Sequence, residues 1–182
     1  MRSLFVAGRS WCNAAALIAA GLALVGSIFA AGSAVAAEPP SAEIMKPIHE
    51  LGEFMSMLPE GRHATMFAVR GVTVIENYPP FIFSGADGVA RWEAGFRQHS
   101  ASDRLSQLRV VFGPAQDFSV QGERAYLSLP TTWTGRTGEK SFEEHGAWAF
   151  VLAHEGGGWK ILGYGWGVTR YNESTGTPAA TR

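Results

Sequence analysis

Apolar positions from Pro47 onward recur in steps of three and four: Ile48, Leu51, Met55 and Leu58. That spacing predicts a helix with one buried face. Pro47 suits its first turn, where no amide donor is needed, and Pro59 and Gly61 stop it. Arg62 to Ala68 reads as a second, short helical piece. Gly71 to Glu76 is rich in β-branched residues and predicts a strand. Asn77-Tyr78-Pro79-Pro80 breaks it, and Phe81 to Phe83 is a short extended piece. Val89, Trp92 and Phe96 return to helical spacing, predicting a helix from Ala86 to His99. Ser84, three residues ahead of Asp87, gives it a capping-box-like start. Ser100 to Ser106 is a polar loop.

The period then changes to two. Leu108, Val110 and Phe112 alternate, as do Phe118 and Val120 before Gly122. Three long strand candidates follow: Ala125–Thr134, Ser141–His154 and Trp159–Arg170. The turns at Gly135–Gly138 and Glu155–Gly158 join them into an antiparallel meander. Helices first and strands last point to an α+β fold, about three helices packed on one face of a curved, mostly antiparallel sheet. The Ser/Thr/Pro/Gly-rich tail, residues 171–182, is expected to be disordered.

The N-terminus has a different character. Arg2 and Arg9 precede an uncharged run over residues 14–32, and Ser33-Ala34-Val35-Ala36-Ala37 follows it. A positive start, an apolar core and small residues at a cleavage site form a secretory signal. Residues 1–37 are therefore expected to be removed near Ala37, placing the protein in the periplasm or outside the cell, without stable membrane insertion. The alternative is a retained anchor, since the run nearly reaches the ~20 residues that span a bilayer. Residues 38–46 read as a flexible leader, and 47–170 as one domain.

Cleavage changes the composition. The 182-residue chain has 15 basic and 16 acidic residues; losing Arg2 and Arg9 moves its net charge from −1 to −3. The single Cys12 is lost too, so no disulfide, thiolate metal site or thiol nucleophile is available. No basic run suggests nucleic acid as a partner. The histidines show no metal-ligand spacing, so no metal or other cofactor is expected. No GxSxG serine motif is present, and Gly156–Gly158 joins two strands instead of opening a phosphate-binding helix.

Several segments together resemble the nuclear-transport-factor-2-like superfamily and its SnoaL-like domains. They are Val74-Ile75-Glu76-Asn77-Tyr78-Pro79-Pro80-Phe81, Ser84-Gly85 before the helix with Trp92, and Gly122-Glu123-Arg124-Ala125-Tyr126. Glu144-His145-Gly146 and Gly158-Trp159-Lys160-Ile161 with Gly163-Tyr164-Gly165-Trp166 complete the set. The resemblance covers Pro47 to Thr169. It implies a cone-shaped domain with a pocket between sheet and helices, often dimerising through the sheet. Its members include isomerases, dehydratases, cyclases and proteins without a known reaction, so it implies no single activity.

Glu76 is the first candidate for chemistry. It ends a strand within an apolar stretch, where desolvation would raise its pKa toward that of a general acid or base. Alternatively, its carboxylate serves the backbone of the proline turn. His145 is the second candidate, with Glu143 on its strand face and with Glu144 and Trp148 on the other. A one-residue slip would exchange His145 for Glu144 at the pocket, and the resemblance favours Glu144 as the placed acid. Tyr78, Phe81, Phe83, Trp92, Phe96, Tyr126, Trp133, Trp148, Tyr164 and Trp166 would supply aromatic walls for a flat or apolar ligand. Gly163, Gly165 and Gly167 leave one face of the last strand bare, permitting close approach by a helix, another backbone or a second copy. These residues are read first as a noncatalytic site for a small apolar molecule. A proton-transfer enzyme using Glu76 (isomerase, dehydratase or cyclase) and a sheet-mediated dimerisation module are the alternatives.

Overall fold

The computed structural model describes residues 38–57 and 62–175; the proposed signal segment and the helix stop at Pro59 and Gly61 lie outside them. Helix α1 spans Ala42–Met57. It begins earlier than the spacing after Pro47 predicts, because Ser41 caps it: Ile44 N–H donates to Ser41 Oγ at 3.4 Å. The supposed leader is thus partly helical. Ile44, Ile48, Leu51 and Met55 form the buried stripe, and Phe54 widens it.

Strands β1 (Thr73–Ile75) and β2 (Ile82–Ser84) make a short hairpin, followed by helix α2 (Gly88–Ser102). Asp87 precedes α2 without a side-chain capping bond, so the expected capping box is not formed. The helix also takes in the start of the segment expected to be a polar loop. Strands β3 (Leu105–Phe112), β4 (Asp117–Gln121), β5 (Arg124–Thr137), β6 (Lys140–Glu155) and β7 (Gly158–Ser174) complete the fold. The last strand continues to Ser174 because Tyr171, Asn172 and Glu173 pair with Glu144, Glu143 and Phe142. Tyr171–Ser174 is therefore strand and not tail; residues 176–182 lie outside the described residues.

The described residues form two helices on a seven-stranded, open sheet of order β2-β1-β7-β6-β5-β3, with β4 beside β5. All pairings between these strands are antiparallel except β1 with β7, and an isolated parallel bridge joins Phe67 to Ile161. The expected helical piece at Arg62–Ala68 is not a helix: Ala68 N–H donates to Ile161 O, and Ile161 N–H donates to Met66 O, both at 2.9 Å. Burial of Met66, Phe67 and Ala68 against the sheet outweighs the weak helical preference of so short a segment. α1 packs on β3 and β7, and α2 on β1, β2 and β3. The core centres on Trp92 and Trp148, both fully buried, with Leu51, Phe83, Leu129 and Phe150 around them. Truncating either indole to alanine would cost about 3–5 kcal/mol. Among the described residues no helix is long and apolar enough to cross a membrane.

Candidate functional site

A cavity of about 230 Å³ lies between the sheet and the helices. Trp133, Trp148 and Trp166 wall it from β5, β6 and β7, and Phe96 from α2. These indoles meet edge to face, Trp133 and Trp166 each standing 5.8 and 5.7 Å from Trp148. The pairing of Trp133 with Glu144 and of Trp148 with Trp166 across neighbouring strands puts all four side chains on one face.

Glu76 enters at the end of β1. Its N–H donates to Phe81 O at 2.9 Å, and Phe81 N–H donates to Tyr78 O at 2.9 Å, so the turn fixes where the strand stops. The carboxyl is buried. Its Oε1 accepts hydrogen bonds from Trp92 Nε1, at 3.0 Å, and from the Tyr164 hydroxyl. Those bonds come from α2 and β7, not from the proline turn, which settles the alternative role for this carboxylate. Among the described residues no hydrogen bond reaches Oε2. Burial raises the Glu76 pKa from 4.5 to about 7; the bonds from Tyr164 and Trp92 oppose that rise, and the Glu144 charge adds to it.

Glu144 is the second cavity acid. Its Oε1 accepts from Trp166 Nε1 at 2.9 Å. Burial raises its pKa as well. The register therefore places Glu144 inside and His145 outside. His145 sits on the outer face, with Thr132 Oγ1 at 3.2 Å from Nδ1 and with Glu143 Oε1 and Arg170 Nη2 at 2.5 and 2.7 Å from Nε2. It is not brought to Glu76.

Of the expected aromatic set, Tyr78, Phe96, Trp133, Trp148 and Trp166 line the cavity. Trp92 and Tyr164 stand behind Glu76 and hold it. Phe83 is core, packed 5.9 Å from Tyr78. Phe81 is exposed on the turn, and Tyr126 is exposed because its parity on β5 directs it to the outer face. Neither lines the cavity.

Several lining residues were missed, among them the polar His99, Asp103 and Tyr171. His99 Nδ1 lies 3.5 Å from Asp103 Oδ2, and its ring stacks on Tyr78 at 4.7 Å. Extending the Trp92–Phe96 spacing by three and then four residues reaches both His99 and Asp103, so the helical period carried that signal. Tyr171 carried none, since it stood in the segment read as tail. Tyr78 lies deep in this wall, and among the described residues its hydroxyl has no hydrogen-bond partner; neither has Trp148 Nε1. Among the described residues no group of three or more His, Cys, Asp or Glu could hold a metal ion.

No family model matches the chain, and no curated protein matches it. Solved structures do. A hexachlorocyclohexane dehydrochlorinase, LinA type 3 from Novosphingobium barchaimii, is 13% identical, with a TM-score of 0.60 over 78% of this chain and 94% of its own. LinA type 2 gives 12% identity and a TM-score of 0.61 over 77% and 92%. A nuclear-transport-factor-2-like superfamily protein from Salmonella enterica serovar Typhimurium gives 17% and 0.57 over 76% and 95%. At these identities the likeness concerns the fold, and this chain has the nuclear-transport-factor-2-like fold.

Proposed function

We propose that this protein is exported and binds a small, largely apolar or aromatic molecule in the cavity walled by Trp133, Trp148 and Trp166. The carrying observation is that cavity: three indoles, with Phe96 and Phe142, wall a volume of about 230 Å³. Drug-sized ligands occupy pockets of roughly 300–1,000 Å³, so the ligand is smaller than these. The signal-like residues 1–37 support export, and an intact mass starting near Glu38 on secreted protein would check it.

Binding is tested with 2-phenylethanol followed through the indole N–H resonances. Saturable shifts at Trp133 and Trp166 are expected. Trp133→Leu should weaken the affinity about tenfold, the usual scale for losing an anchoring indole. Unchanged affinity in that variant would remove the cavity from the reading.

A second reading is proton transfer. Glu76, held near pKa 7 with Oε2 unbonded beside the cavity, favours it. A Glu76→Gln protein that still binds ligand but no longer turns it over would support this reading. A third reading, pairing of two copies through the outer sheet face, draws on the exposed Tyr126 and Val151 there, and a solution mass tests it.

A further inference from the structure

We propose that the cavity takes a protonated amine: a small molecule with a flat apolar body and one ammonium group, its nitrogen on the free oxygens of Glu76 and Glu144. This rests on the reading of the cavity as a small-molecule site and adds the charge of the ligand.

The charges lining the cavity are unequal. Glu76, Glu144 and Asp103 face it, and among the described residues no lysine or arginine does. The one basic group, His99, lies against Asp103 at 3.5 Å. Each interior acid is anchored through Oε1 alone, Glu76 by Trp92 and Tyr164 and Glu144 by Trp166. Their second oxygens accept nothing within the described residues. Both acids line the cavity, so an oxygen of each is left for a partner there.

Tyr78 supplies an independent observation. It is 5% exposed, it lines the cavity, and its hydroxyl has no partner among the described residues. A hydroxyl accepts as well as donates, and an ammonium carries three donors. Glu76, Glu144 and Tyr78 are three acceptors. They also feel one another: desolvation is the larger cause of both rises, and beside it the Glu144 charge raises the Glu76 pKa and the Glu76 charge raises that of Tyr78. A cation held among them offsets the repulsion between the two carboxylates. The rings complete the match, because the negative face of an indole attracts a cation and repels an anion.

The test compares three probes of one shape by calorimetry: phenethylamine, 2-phenylethanol and phenylacetate. At pH 8 the ammonium form should bind at least about tenfold more tightly than the alcohol, with phenylacetate weakest. Its affinity should fall at least about tenfold between pH 8 and pH 5.5, because Glu76 gains a proton through about 7. The titratable groups that contact this carboxyl or line the cavity with it are Glu144 from β6, Tyr164 and Tyr171 from β7, Tyr78 from the turn, and His99 and Asp103 from the α2 end. Protonation of Glu144 would act in the same direction, so the two variants separate the acids. Glu76→Gln should remove most of the pH dependence, and Glu144→Gln should weaken the amine but not the alcohol. Equal or tighter binding of the alcohol, or an amine affinity flat with pH, overturns the proposal while leaving the cavity a neutral-ligand site. If none of the three probes binds, the small-molecule reading falls with it.

Discussion

The protein is expected to be less stable at pH 8 than at pH 5, by about 3 kcal/mol from Glu76 alone, at roughly 1.4 kcal/mol per pKa unit. The sign follows from the direction of the shift. Burial holds the folded pKa at about 7 against an ordinary 4.5. Between those values the folded chain keeps a proton that the unfolded chain has released. Stability is therefore full below about 4.5, declines as pH rises through the window, and levels off above 7. Glu144, also raised by burial, tilts the curve the same way. Urea midpoints at pH 5 and pH 8 measure the difference, and Glu76→Gln isolates its source because the amide cannot ionise. The variant should lose most of the slope while keeping an acceptor oxygen for Trp92 and Tyr164. A variant with the wild-type slope would mean that Glu76 is not the desolvated acid this packing makes it.

Glu76 was legible in the sequence for the same reason that it is costly: one carboxyl stood at the end of a β-branched run, where apolar neighbours predicted desolvation. The long strands were legible through their period of two, since each buries one face. Side-chain parity was harder to read. Glu144 and His145 are adjacent and of comparable chemical promise, and only the pairing with Trp133 and Tyr171 decides which turns inward. Tyr126 failed on the same point, lying one residue away from the buried Ala125 and Leu127. Met66–Ala68 was illegible for another reason. Its structure comes from two hydrogen bonds to Ile161, far along the chain, and no local propensity reports them. His99 and Asp103 were within reach of the helical period, but their place in one cavity with Glu76 depends on α2 lying across β1.

The glycines of the last strands carry the other large expected effect. Bareness on β7 suggested close approach at Gly163, Gly165 and Gly167, and the structure divides them. A methyl at Gly163 would lie 2.7 Å from Thr73 O, so β1 does come close there. At Gly165 the nearest atom, Ile75 Cβ, is 3.9 Å away, an ordinary contact. The tightest position is on the facing strand. A methyl at Gly146 would sit 2.6 Å from Trp166 Cη2 and would press on Gly167 O more closely than real Cβ atoms approach any neighbour. The ring could shift; the carbonyl cannot move without parting β6 from β7 where their register slips, between His145 and Gly146. Gly146→Ala should therefore cost about 3 kcal/mol, the upper end of overpacking, and lower the melting temperature by roughly 10 °C. Gly165→Ala, with room and an ordinary backbone, should be neutral or stabilising by up to about 1 kcal/mol. Displacing Trp166 would also loosen its bond to Glu144, so Gly146→Ala should weaken binding of phenethylamine where Gly165→Ala does not. Thermal melts of the two variants side by side decide the matter. If Gly146→Ala melts within a degree or two of Gly165→Ala, the strands do not meet as closely as described, and the anchoring of Glu144 by Trp166 loses its structural basis.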